Sequence, residues 1–338
     1  MTSDAGGPLE GVRVLDLSRV LAGPFCTMQL ADMGAEIIKV ENPDGGDDTR
    51  HFKPPEAGGE AHYFLAVNRS KRSIALDIRT ERGQEIIHGL AAQCDVLIEN
   101  FRVGVMRRFG LDYASMRERH PHLIYCSISA YGQEGPMSDR PGFDPVLQAE
   151  SGMMSYTGEP DRDPMRHPLA IIDTFTALYA TSAILGAYIA RQRTGRGQHI
   201  DLALLDTSIA VQTNAAQAYL VSGENPVKMG NSHPTAVPVG LFETQTGPIY
   251  IAVGTQRLFK ILCEKVLQRP EMFEDPRFAD NASRQANRQA LFALLSEAFA
   301  AEPREVWLER TRTAGLPVGA VRTVSEALRS PEVAARAW

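Results

Sequence analysis

The residues equipped for chemistry are few and far apart. Asp173 closes the apolar run Leu169-Ala170-Ile171-Ile172 and stands just before a long apolar stretch, 174–191, with the character of a helix. An aspartate there is a natural N-cap, a role worth about 1 kcal/mol. The partial positive charge of a helix N-terminus also favours its ionised form. Asp144, in Gly142-Phe143-Asp144-Pro145, reads as a turn residue ahead of the proline. His120 and His122 flank a proline before a strand and read as surface loop residues. His233, in Asn231-Ser232-His233-Pro234, is either functional or a turn residue. No GxGxxG follows the first strand, and GxxxxGK(S/T), HExxH and GxSxG are all missing, which removes the main support for a dinucleotide or P-loop protein. Cys26, Cys94, Cys126 and Cys263 lack CxxC spacing and point to free thiols in a reducing compartment, not to disulfides or a zinc site.

An alternation of strand-like and helix-like segments has to position these residues. Strands are predicted at 12–17, 36–40, 73–78, 95–98, 123–128 and 199–204, and helices at 24–33, 80–93, from 113, 174–191 and 205–220. Strands alternating with helices across short loops give a parallel sheet covered on both faces. A stretch rich in Gly, Asn, Pro and Ser at 222–238 reads as a linker. Beyond it, 248–253 is a strand and 286–301 repeats apolar residues at helical spacing. With 338 residues, 43% hydrophobic and 22% charged, the chain can bury a large core and divide into two domains. A net charge of −6 argues against a protein that coats nucleic acid, although an anionic ligand needs only a local basic cluster. The polar N-terminus is not a signal peptide, and no apolar run reaches the ~18 residues of a membrane helix, so a cytoplasmic enzyme is expected.

Six segments carry a family likeness. They are Leu15-Asp16-Leu17-Ser18-Arg19-Val20-Leu21-Ala22-Gly23-Pro24, Gly34-Ala35-Glu36-Ile37-Ile38-Lys39-Val40-Glu41 and Asn68-Arg69-Ser70-Lys71-Arg72-Ser73-Ile74, followed by Glu99-Asn100-Phe101-Arg102, Ala130-Tyr131-Gly132-Gln133-Glu134-Gly135-Pro136 and Thr194-Gly195-Arg196-Gly197-Gln198. In this order and spacing they resemble the family III CoA-transferases, the group that includes formyl-CoA transferase and 2-methylacyl-CoA racemase. The resemblance implies an α/β fold: a Rossmann-like large domain with a parallel sheet, plus a smaller α/β domain, in an interlocked homodimer. It sets the large domain at 1–222, a linker at 223–240, the small domain at 241–325 and the start of a return to the large domain at 326–338, incomplete at Trp338.

The same likeness implies that Asp173 is a nucleophile. A carboxylate attacking a thioester gives a mixed anhydride, which keeps the acyl group activated while CoA thiolate leaves. With an unperturbed pKa of ~3.9 it would need no general base, but water must be excluded. Asp144 is implied as a catalytic assistant, its alternative being the turn residue. Coenzyme A is then a substrate, with no tightly bound cofactor and no metal. Its contacts carry over to Arg19, Val20, Leu76, Asp77, Ile78, Arg79, Asn100, Phe101, Arg108, Arg140, Gly142 and Phe143. Taken singly, each arginine reads as a solvated surface residue. Asn42 stands where the family often has arginine, and Asn231 to Pro238 replaces the tetraglycine loop of formyl-CoA transferase, which points away from formyl and oxalate.

The stretch 151–173 and the linker look closer to members acting on dicarboxylates such as succinate and glutarate, with Arg166 or His167 available to a second carboxylate. The expected partners are acyl-CoA, a carboxylic acid and a second copy of the chain, without nucleic acid or membrane. Racemisation is the chief rival. The family's racemases place a histidine where Phe143 stands, and a phenyl ring cannot move protons. A non-catalytic CoA-binding protein is the rival from another class.

Overall fold

In the computed structural model, residues 6–336 are described. Residues 1–5 and 337–338, where the expected large domain begins and the expected return segment ends, lie outside them. The chain divides into two units. One runs up to Tyr156 and takes in Pro164–Pro226; the other takes in Thr157–Asp163 and the chain from Val227 on.

The first unit is built on six parallel strands: β1 (Arg13–Asp16), β2 (Glu36–Glu41), β3 (Lys71–Ala75), β4 (Val96–Glu99), β5 (Ile124–Ser129) and β6 (His199–Ala203). Their order is β3-β2-β1-β4-β5-β6, with every neighbouring pair parallel. The strand order reverses between β1 and β4, and in such sheets ligands bind outside the carboxyl ends of the strands at that switch point. One face is sealed by α1 (Ala22–Asp32) and α7 (Ile171–Thr194), with Val14, Ile98, Cys126, Ile172, Ala177 and Ile184 in the core. The other is covered by α3 (Glu81–Ala91) and α5 (Tyr113–Arg119), over Leu15, Ile87, Leu97, Met116 and Tyr125. Near-continuous apolar runs such as Val-Leu-Ile in β4 suit strands buried on both faces.

Several elements differ from the sequence expectation. Strand β3 stops at Ala75 because Leu76 makes the last ladder bond, to Glu41, and Asp77 then turns the chain by accepting the Arg79 N–H at 2.9 Å. The single helix expected at 205–220 is two, α8 (Leu204–Ala210) and α9 (Thr213–Ser222). Gln212 breaks it, its amide donating to Ser151 O (2.9 Å) and Ser208 O (3.1 Å), and Thr213 follows at φ 33°. Three helices of this unit went unforeseen, α2 (His62–Val67), α4 (Val105–Arg108) and α6 (Asp144–Glu150). In α6 Pro145 occupies the first turn, where a missing N–H costs nothing. Helix α7 is long and apolar enough to cross a membrane by composition, yet its Thr176, Ala177, Ala180, Ile184 and Ala187 are buried in the core of this unit. His120, expected on the surface, is buried with its Nε2 3.2 Å from His88 Nδ1.

The second unit holds the antiparallel strands β7 (Val239–Phe242), β8 (Ile249–Ala252) and β9 (Val318–Ala320), ordered β9-β8-β7. Helices Arg288–Phe299 and Arg304–Thr313 pack Leu291, Leu295, Phe299 and Trp307 into its core. His233 Nδ1 accepts the N–H groups of Thr235 (3.2 Å) and Ala236 (3.0 Å), a local turn contact.

Candidate active site

The turn leaving β1 is the centre of the site, and it is strained. Val20 has φ 69°, a region that a β-branched residue rarely occupies, at a cost on the order of 1–3 kcal/mol. Its neighbours hold it there. The Asn100 side-chain amide, at the end of β4, clamps Arg19 from both sides, accepting its N–H at 2.8 Å and donating to its carbonyl at 2.7 Å. The Val20 N–H reaches Asp47 Oδ1 at 3.3 Å, and buried Lys39 pairs with Asp47 (2.9 Å) while donating to Ser18 O (2.8 Å). Beneath lies Asp16, fully buried: burial raises its pKa, but Lys71 (3.2 Å), Lys39 and the hydroxyls of Ser18 and Thr27 outweigh that and bring it down to about 2. Gly23 is required in this corner, since a Cβ would fall 2.2 Å from the Ser18 side chain.

Two cavities open on either side of this turn. The first, of about 240 Å³, is lined by Arg19, Leu76, Asp77, Ile78, Arg79 and Phe101, together with Leu17, Val40, Asn42, Val105 and Phe109. The Arg19 guanidinium lies 5.1 Å from the Phe101 ring centre, and Arg79 grips Asp77 through two bonds of 2.8 and 2.9 Å. The second, of about 470 Å³, is lined by Val20, Leu21, Phe143, Asp144 and Asp173, with His62 and Tyr63 from α2 and with Arg166. Adjacent residues Arg19 and Val20 thus face different cavities. Of the remaining candidates, Asn100 acts on the backbone of the turn, and Arg108 is exposed on α4 (Val105–Arg108). Arg140 pairs with Glu150 at 2.9 Å and packs over Tyr131. Gly142 sits tight against Leu147 and Ala130. None of these four lines either cavity. His167 does not either; its N–H is held by Gln148 at 2.7 Å.

The geometry corrects two expectations about Asp173. It is not the N-cap, because α7 begins at Ile171 and Ala170 occupies that position without a side-chain bond. The cap arrives from outside: Asp144 Oδ2 accepts the N–H of Ile172 (2.6 Å) and of Asp173 (3.2 Å). Nor does Asp173 keep an ordinary acidity. Burial, and then the charge of Asp144, push its carboxyl up to about 7, with no hydrogen bond among the described residues to offset them. The helix terminus does not keep it ionised, since its N–H groups are spent on Asp144. Tyr63 is raised in turn by its own burial and then by the charges of Asp173 and Asp144. His62, Tyr63 and Gln148 escaped the sequence reading; only Gln148 left a signal, at helical i, i+4 spacing from Asp144.

A strand order that reverses at β1, a clamped turn there, and a carboxyl of raised pKa in the adjoining cavity define an α/β protein with a carboxylate-centred site. Residues 9–338 match the sequence profile of CoA-transferase family III. The chain belongs to that family and is a CoA-transferase. It is 43% identical to succinyl-CoA:glutarate CoA-transferase of Mus musculus over 98% of this chain and 76% of that one. It is also 43% identical to succinate–glutarate CoA-transferase of Agrobacterium fabrum over 97% of this chain and 84% of that one. Among solved structures, a CAIB/BAIF family protein from Brucella suis superimposes with a TM-score of 0.90 at 44% identity, covering 98% of this chain and 89% of the other.

Proposed function

We propose that the protein transfers coenzyme A between dicarboxylic acids through an anhydride on Asp173. The supporting observation is a carboxyl in a cavity, with no hydrogen bond to its side chain among the described residues and a pKa raised to about 7. Above that pH it is an anion poor in hydration, and a more basic carboxylate is a better nucleophile. It attacks the thioester carbonyl; the C–S bond breaks and CoA thiolate leaves. The incoming carboxylate attacks the aspartyl carbonyl and expels the first acid, which departs with the bridging oxygen. Thiolate then attacks the new acyl carbonyl, forming the product thioester and restoring the Asp173 carboxylate.

The apolar slot beside Phe101, with Arg19 and Arg79 at its edge, suits the adenine end of CoA and its phosphates. The pantetheine arm would pass the Arg19–Val20 turn into the second cavity. There Arg166 is the arginine available to a distal carboxylate, in keeping with the succinyl and glutarate substrates named for the relatives. Phe143 faces the same cavity and offers no proton-transfer group, which disfavours racemisation. A homodimer fits the apolar side chains left exposed on α7 and α9, among them Tyr179, Ile189, Leu220 and Val221.

Exchange of label from succinyl-CoA into a panel of acids tests the substrate class, and no activity with any dicarboxylate rejects it. Hydroxylamine trapping with mass spectrometry tests the intermediate: an adduct on Asp173 is expected. Full transfer by Asp173→Ala overturns the mechanism. Deuterium entering Cα without an acceptor acid would reveal an isomerase instead.

A further inference from the structure

We propose that Asp144 is a positioning residue, fastened by Gln148, that fixes the place of the Asp173 carboxyl and acts on the reaction through it. The proposal rests on Asp173 being the nucleophile. Asp144 is 2% exposed and its oxygens are occupied. Oδ2 takes the N–H groups of Ile172 and Asp173, and Oδ1 takes the Gln148 amide at 2.6 Å. A carboxylate so engaged spends most of its acceptor capacity on these three donors, and it stands in for the N-cap that α7 lacks.

Gln148 is fully buried and has a second grip. Its Oε1 accepts the His167 N–H at 2.7 Å, and its Nε2 also approaches the carbonyls of His167 and Leu169, each at 3.4 Å. One amide therefore ties α6 to the lead-in that delivers both Arg166 and Asp173 to the cavity. The electrostatic consequence follows from who holds the donors. Asp144 has three, and among the described residues the Asp173 carboxylate has none, so nothing offsets burial and the charge of Asp144 in raising the Asp173 carboxyl. The other groups facing that cavity are His62 and Tyr63 on α2 and Arg166 on the lead-in, whose guanidinium donates to the carbonyls of His167 and Pro168, both at 3.3 Å.

The test is the pH profile of kcat/KM for succinyl-CoA to glutarate transfer in Asp144→Asn and Gln148→Met, with thermal melts confirming the fold. Asp144→Asn removes the charge and keeps one acceptor; the acidic limb should move down by about one pH unit, with KM for succinyl-CoA within about twofold of wild type and kcat lowered. Gln148→Met leaves the Asp144 charge undiluted, so the limb should move up. Opposite displacements are not what loosened packing produces. Folded variants whose limbs stay put, or move the same way, overturn the proposal while Asp173→Asn remains inactive. Turnover persisting in Asp173→Asn instead overturns the nucleophile reading, and this proposal with it.

Discussion

Replacing Asp173 by asparagine should abolish transfer and stabilise the protein. Asp173 is raised from 3.8 to about 7 by burial and by Asp144, a displacement worth up to about 4 kcal/mol at 1.36 kcal/mol per pKa unit. The sign follows from proton linkage. Between pH 3.8 and about 7 the folded chain holds a proton at this site that the unfolded chain has lost, so stability falls as pH rises through that window. Below it both states are protonated and the penalty vanishes; above it the penalty is complete. Asparagine carries no such charge. Urea midpoints should therefore favour Asp173→Asn by up to about 4 kcal/mol at pH 8, and by no more than about 1.6 kcal/mol at pH 5. These are upper bounds, because the side chain faces a cavity that water can enter. A variant no more stable than wild type at pH 8, or one whose advantage is the same at both pH values, would refute the strained-carboxylate account.

Three further outcomes are expected. Asn100→Ala releases the Arg19 backbone clamp and should raise KM for acyl-CoA about tenfold or more, since two bonds of about 1 kcal/mol each are lost beside a strained residue; steady-state kinetics would read it. Arg166→Gln should raise KM for glutarate while leaving a monocarboxylic acceptor of similar length unaffected, as charge-assisted bonds of about 1.5–3 kcal/mol predict. Glu99, buried at the end of β4, is raised from 4.5 to about 7 by burial, against bonds from Phe101 and Ser127. Its ionisation in the folded state thus costs up to about 3 kcal/mol above pH 7, and Glu99→Gln should be more stable than wild type at pH 8 but not at pH 4, as denaturant titration at both values would measure.

Much of this architecture is legible in the chain itself. The apolar runs at β1, β2, β4 and β5 are buried on both faces and bounded by short loops, so period and length identify them. Asp173 stands out for the same reason, at the junction of an apolar run and a helix. What sequence order hides is the company Asp173 keeps. Its acidity depends on Asp144, 29 residues earlier, and that approach exists only once α6 packs on α7. Pro145 disguised α6 because a proline reads as a breaker unless the first turn is recognised. His62 and Tyr63 lie on a helix of six residues, His62–Val67, too short to show a period. Sequence order likewise does not show that Arg140 pairs with Glu150 or that Arg108 ends a short helix with its side chain exposed.

In the proposed cycle the Asp173 carboxylate is consumed and rebuilt at each turnover. Glutarate labelled with ¹⁸O in its carboxylates should leave one labelled oxygen on Asp173 after a single exchange with succinyl-CoA, visible as a mass shift in the tryptic peptide that runs from His167 to Arg191. Transfer that proceeds while this peptide stays unlabelled, with the label in another residue or only in succinate, would contradict the account.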